Sequence, residues 1–310
     1  MRVAVFLPVL TALLAVGPAA LAKDLPPDAV KHLAGRDPLA CLITPSTDAT
    51  LGELDTILMV DPDCLAAYRL RARLHLRRLR YDLSVADFSQ AIERGATDRS
   101  VFRNRAVAYS RLREWQSAID DYTRALEVDP TYAGAYYGRG NTFRLMRDNF
   151  QAIRDFRAAL RFDPRMAQAH NGVGNILSRW GQLGEAIESY TQAIRLNPDV
   201  AIYHQNRGRN RYSLGELEHA ITDLTEAIRL NPRYGTAYAN RGRARRKLGD
   251  IEGALSDFEK AIEIDGAPRI RLWQRDLIQK KRHAGAVDGE MTSALREAIR
   301  LCTREPACWE

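Results

Sequence analysis

After its first 22 residues this 310-residue sequence has no apolar run long enough to cross a bilayer, which takes roughly 18–20 residues, so no integral membrane segment is expected. It has no glycine-rich phosphate loop, no metal-ligand motif and no Ser/His/Asp arrangement for nucleophilic catalysis. Cysteine is scarce, at four in the whole chain. These absences exclude the common enzyme classes, and no catalytic residue, metal or cofactor is expected.

The N-terminus, MRVAVFLPVLTALLAVGPAALAKD, has a single positive charge at Arg2, an apolar stretch from Val3 to Val16, and Ala20 and Ala22 in an A-x-A arrangement before Lys23. These are the marks of a secretory signal peptide over residues 1–22. Lys23 in place of cysteine excludes a lipid-modified cysteine at that point. Loss of Arg2 takes the formal net charge from +7 to +6, an excess that favours acidic partners. An even cysteine count in an exported chain reads as disulfides; three pairings are open, and proximity favours Cys41–Cys64 and Cys302–Cys308.

What the sequence does contain is a period. AIRLNP occurs at 193–198 and again at 227–232, with ALEVDP, ALRFDP and AIEIDG at the same 34-residue interval. With repeats set at 65–98, 99–132, 133–166, 167–200, 201–234 and 235–268, the eighth position holds Ala72, Ala106, Gly140, Gly174, Gly208 and Gly242. The twentieth holds Ser84, Ala118, Ala152, Ala186, Ala220 and Ala254, and the twenty-seventh is alanine throughout. Large side chains fall at the fourth position (Tyr68, Phe102, Tyr136, His170, His204, Tyr238) and at the twenty-fourth (Phe88, Tyr122, Phe156, Tyr190, Leu224, Phe258). Large-into-small packing of a helix pair follows, with Asn-Pro or Asp-Pro stopping the second helix. His170 and His204 fall on equivalent helices about 8–10 Å apart, too far to share a metal without a third ligand.

These columns resemble the tetratricopeptide repeat over residues 65–268. The resemblance implies an all-α fold, a right-handed superhelical solenoid of helix pairs. Residues 23–64 read as a degenerate terminal repeat, with LGELDTILMVDP as its second helix and a first half broken by Pro38. A Cys41–Cys64 bond there would contribute about 3 kcal/mol.

At the seventh position stand Arg71, Arg105, Arg139, Arg207 and Arg241, and at the twenty-third Asp87, Asp121, Asp155, Asp223 and Asp257. The repeat that lacks the arginine, at Val173, also lacks the acid, at Ser189. The shared loss points to ion pairs between the two helices of a repeat, not to a binding stripe.

The resemblance further implies that positions 2, 5, 6, 9, 12 and 13 of each first helix line a concave groove. They supply Arg69, Arg73 and Arg77; Arg103 and Asn104; Asn141 and Arg144; Asn171 and Asn175; Gln205, Asn206, Arg209 and Tyr212; and Asn240, Arg243, Arg246 and Lys247. Such a positive, amide-rich set suits a protein or peptide ligand that is acidic or offers a C-terminal carboxylate. Chaperone-cofactor members of the family hold a terminal carboxylate with an Asn/Lys/Arg clamp; Asn206, Arg209, Asn240 and Arg243 sit comparably, without the matching lysines. Nucleic acid is not the expected partner, because the aromatics occupy packing columns instead of alternating with the arginines.

After Pro268 the period fails. Residues 269–310 read as a helix with Leu272, Trp273 and Leu277, a turn at Asp288-Gly289, and an amphipathic helix with Leu295, Ala298, Ile299 and Leu301. Gln274, Leu277, Gly285, Asp288, Gly289, Ala298 and Ile299 are similar in spacing to a small helical peptidoglycan-binding domain. Lys281, Thr292, Ser293 and Leu295 depart from that pattern. The tail is therefore expected to cap the last repeat and to offer peptidoglycan as a second partner. With the export signal, the resemblance places the chain in a Gram-negative periplasm as a non-enzymatic scaffold for cell-envelope assembly or integrity.

Overall fold

The computed structural model describes residues 51–280 and 286–305. The signal peptide, Cys41, Gly285, Lys281 and Cys308 lie outside the described residues. Within them are fifteen helices and no strand: α1 Leu51–Val60, α2 Leu65–Arg77, α3 Tyr81–Glu93, α4 Arg99–Leu112, α5 Trp115–Val128, α6 Ala133–Leu145, α7 Asn149–Phe162, α8 Ala167–Arg179, α9 Leu183–Leu196, α10 Ala201–Leu214, α11 Leu217–Leu230, α12 Gly235–Lys247, α13 Ile251–Asp265, α14 Ala267–Gln279 and α15 Ser293–Arg304. The chain forms two compact units that divide between Asp155 and Phe156, inside α7.

Helix ends follow from local chemistry. Asp129, Asn197 and Asn231, each before a proline, are extended (ψ 97°, 90° and 92°) and close α5, α9 and α11. The side chains of Asp129 and Asn231 then accept the N–H two residues on, from Thr131 at 2.9 Å and Arg233 at 3.1 Å. That turn is why an acid or its amide precedes the proline.

In the first unit, Leu54 and Leu58 of α1 pack with Ala67, Leu70 and Leu74 of α2, and Cys64 is buried beside them. Phe88 fills against Ala72, Ala91 and Val101, and Tyr122 against Ala106, Ala118, Ala125 and Ala135. Ser84, the one polar residue of its column, donates its hydroxyl to the Ala72 carbonyl at 2.9 Å. In the second unit the small column has no room for growth: a Cβ on Gly174 would lie 2.7 Å from the Tyr190 ring, and one on Gly242 2.8 Å from Phe258.

The arginine and aspartate columns meet in five bidentate pairs. Nε and Nη2 of Arg71, Arg105, Arg139, Arg207 and Arg241 donate to both oxygens of Asp87, Asp121, Asp155, Asp223 and Asp257 at 2.6–3.0 Å. The remaining Nη1 reaches back one repeat, to Ser89, Thr123, Thr191 and Thr225 at 2.9–3.1 Å and to Asp55 at 2.7 Å. Burial alone would lower the pKa of Arg105, yet its bonds to Asp121 raise it, so the guanidinium stays charged.

The tail closes the second unit. Ile270, Trp273 and Leu277 of α14 and Leu295, Ala298, Ile299 and Cys302 of α15 pack on Ala254, Phe258 and Ile262 of α13. Trp273 meets Phe258 edge-on, with ring centroids 5.2 Å apart. Two of the leucines that mark these helices in the sequence, Leu272 and Leu301, point to solvent, about half exposed. On α15 the neighbouring Cys302 takes the inward position, in register with Leu295, Ala298 and Ile299.

Candidate functional site

The candidate groove residues lie on first helices of the pairs, and the two units use them differently. In the first unit, Arg69 Nη2 pairs with Asp98 at 3.0 Å, while Arg73 and Arg77 of the same helix are exposed. Partial desolvation by neighbouring side chains, followed by the charge of Arg69, lowers the pKa of Arg73 although it is exposed; Asp98 opposes this and Arg77 adds a smaller lowering. Arg103 Nη1 donates to Asn104 Oδ1 at 3.0 Å, and Arg144 Nε donates to Asn141 Oδ1 at 3.3 Å.

In the second unit several of the expected ligand-facing amides are already engaged. Asn206, only 6% exposed, donates from Nδ2 to Asn171 Oδ1 at 3.0 Å and to Asn175 Oδ1 at 3.1 Å. Tyr190, read from sequence as a packing residue alone, extends its hydroxyl to donate to Asn175 Oδ1 at 2.9 Å. Burial pushes that phenol up to about 12, so it remains a donor at neutral pH. Gln205 is buried and accepts from the Tyr234 hydroxyl at 3.2 Å.

Asn240 breaks this pattern. It is 7% exposed, its Oδ1 accepts from Arg243 at 3.3 Å, and its buried Nδ2 has no protein acceptor. The preceding repeat differs. The positions that serve Asn206, fifth and ninth, are Asn171 and Asn175; for Asn240 they are Gln205, whose oxygen accepts from Tyr234, and Arg209, which has only donors. Arg209 of the preceding first helix and Arg243 and Lys247 of the same helix are exposed, and the Lys247 ammonium sits 4.6 Å from the Tyr212 ring centroid. Arg246, on the same helix, is half-buried, and that burial lowers its pKa. A buried amide donor left without an acceptor carries a desolvation cost that an oxygen acceptor would relieve.

His170 and His204 each bond through Nε2 to a proline carbonyl, Pro164 at 3.0 Å and Pro198 at 2.8 Å. A carbonyl only accepts, so Nε2 carries the proton and the rings serve as struts to the preceding stop. Among the described residues no group of three or more His, Cys, Asp or Glu is placed to hold a metal, and no helix is long and apolar enough to cross a membrane.

In the tail, Gln274 Nε2 donates to Asp288 Oδ1 at 2.6 Å and to the Glu290 carbonyl at 3.3 Å, and Gln274 Oε1 accepts from Gly289 N at 2.9 Å. Gly289 holds φ at +87°, as the turn requires. The polar residues behind the peptidoglycan-binding resemblance thus hold their own loop together.

Residues 100–132 and 167–200 match the tetratricopeptide-repeat family model, and residues 206–268 match a second model of the same repeat. Those matched segments end at residue 268. A search of curated protein sequences finds no match. The chain is 28% identical to YrrB, a tetratricopeptide protein with an unusual peptide-binding site, over 57% of this chain and 91% of that one, with a TM-score of 0.50. PilF of Pseudomonas aeruginosa is 16% identical over 70% of this chain and 98% of its own, with a TM-score of 0.61. The C-terminal part of a tetratricopeptide protein of Cytophaga hutchinsonii is 20% identical over 67% of this chain and 83% of its own, at 0.54. The protein is an all-helical repeat protein of stacked helix pairs. Its fold is that of the tetratricopeptide solenoid.

Proposed function

We propose that this protein is a non-enzymatic tetratricopeptide scaffold that binds a protein or peptide partner along its first helices, in the periplasm, in the service of cell-envelope assembly or integrity. The observation that carries the binding reading is the buried Nδ2 of Asn240, which has no acceptor among the described residues and shares its helix with the exposed Arg243 and Lys247. The likeness to a peptide-binding repeat protein at 28% identity supports the same reading. The compartment rests on the signal-peptide pattern of residues 1–22 and the paired cysteines on that compartment. Peptidoglycan is the weaker partner, because Gln274, Asp288 and Gly289 are engaged with one another.

The test separates ligand contacts from packing. Asn206→Ala would leave Asn171 Oδ1 without its donor and take one of two donors from Asn175 Oδ1, so it is a poor probe. Replacing Arg209, Arg243 and Lys247 together by alanine removes exposed cations, with the Arg243–Asn240 bond and the Lys247–Tyr212 contact, and touches no packing column. Crosslinked recovery of partners from periplasmic extract should fall, with helicity unchanged. Asn240→Leu should weaken recovery at little cost in melting temperature, since its donor bonds nothing in the chain. Recovery equal to wild type in both variants would reject the groove.

A further inference from the structure

Helix α2 carries Arg69, Arg73 and Arg77 at positions 5, 9 and 13, the three first-helix positions that fall in one row along a helix. No other first helix has a cation at all three: the equivalent sets are Arg103, Val107 and Arg111; Tyr137, Asn141 and Leu145; Asn171, Asn175 and Arg179; Gln205, Arg209 and Ser213; and Ala239, Arg243 and Lys247. Like charges at this spacing repel; the pKa of Arg73 is lowered first by partial desolvation and then by Arg69, with Asp98 opposing and Arg77 adding least. A folded chain keeps such a row at a cost in stability unless something anionic relieves it.

The row has a ruler in it. Four residues of helix advance about 6.0 Å, and two residues of extended chain advance about 6.4–6.8 Å. Alternate side chains of an extended peptide therefore keep pace with Arg69, Arg73 and Arg77 over the two steps between them, with a mismatch of about 1–2 Å that flexible arginine side chains absorb. Carboxylate is the matching group, because one already sits at the end of the row: Asp98, while its Oδ1 caps α4 through Ser100 N at 3.1 Å, places its Oδ2 3.0 Å from Arg69. Arg73 and Arg77 present the same guanidinium without a carboxylate of the chain within bonding reach among the described residues.

We propose that α2 reads an extended peptide segment with acidic residues at every second position, successive carboxylates meeting Arg69, Arg73 and Arg77. This deepens the peptide-groove reading and rests on it, while naming a partner sequence class for one end of the molecule.

The experiment uses the full chain and three fluorescein-labelled synthetic peptides of one length: glutamates alternating with threonines, the same composition with the glutamates adjacent, and a neutral peptide with glutamine for glutamate. Anisotropy titrations should give the alternating peptide about tenfold tighter binding than the adjacent one, and Arg73→Ala and Arg77→Ala should each weaken it about tenfold, the loss of one charge-assisted contact. Both arginines are exposed, so far-UV circular dichroism should match wild type. Equal affinity for the two acidic peptides, unchanged affinity in both variants, or equally tight binding of a single-stranded oligonucleotide of the same charge would overturn the proposal. If acid spacing has no effect while the Arg209, Arg243 and Lys247 variant still loses its partner, the groove stands and the α2 reading alone fails.

Discussion

At the residue scale the Arg139–Asp155 pair shows how the columns divide between structure and binding. Asp155 is almost fully buried and Arg139 is one-fifth exposed, so the two single deletions differ. Arg139→Ala strands a carboxylate and should cost about 3–5 kcal/mol. Asp155→Ala leaves a guanidinium that still donates to Thr123 at 2.9 Å and reaches water, and should cost about 1–2 kcal/mol. The double variant should fall short of the sum by about 1 kcal/mol or more in urea unfolding, while strict additivity would deny the coupling. The chain contains its own control: Val173 and Ser189 drop both partners together, and Arg157 stands where other repeats offer the serine or threonine acceptor. The co-occurrence of the first two columns was readable in the sequence. The third was not, because its members bond an arginine of the following repeat, and only the packed helices show which neighbour each Nη1 reaches.

At the element scale the turn between the two helices of a repeat makes a sharper prediction. Its fifteenth position is left-handed in every repeat, with φ of +61° at Leu79, +64° at Arg113, +66° at Arg147, +77° at Gly181, +83° at Gly215 and +85° at Gly249. Three repeats use glycine there and three hold a side chain in a conformation that costs it roughly 1–2 kcal/mol. Arg147→Gly should therefore raise the thermal midpoint, by a net gain of about 0.5–1 kcal/mol after glycine's larger unfolded-state entropy is set against it. Arg147→Ala should give no such gain, and Gly215→Ala should lose about 1 kcal/mol. Differential scanning calorimetry of the three variants decides the matter; a midpoint for Arg147→Gly at or below wild type refutes it. Helix pairs, their stops and their small-to-large packing were legible because they follow from periodicity. The engaged amides of the second unit were not, because a polar residue on a first helix looks alike in sequence whether it faces a ligand or, like Asn206, two asparagines of the preceding repeat.

At the scale of the whole molecule, a stack of repeats leaves an apolar face at its end, and α14 and α15 cover the one on α13. Stability in such arrays is carried by nearest neighbours, so damage to a cap should spread inward from the end before it reaches distant repeats. Leu277 is fully buried in the cluster that α13, α14 and α15 share. Leu277→Ala should cost about 2–5 kcal/mol. Gln274→Ala, which frees the loop at Asp288 to Glu290 but leaves the apolar cluster intact, should cost about 1–3 kcal/mol for the buried Gly289 N–H it strands. Hydrogen exchange with mass spectrometry distinguishes a cap from an appendage. In Leu277→Ala, protection should fall first in α13, then in α12, with α2 to α5 unchanged. Loss confined to α14 and α15, with α12 and α13 as protected as in wild type, would mean that the tail merely rests on the array and that the last repeat stands without it.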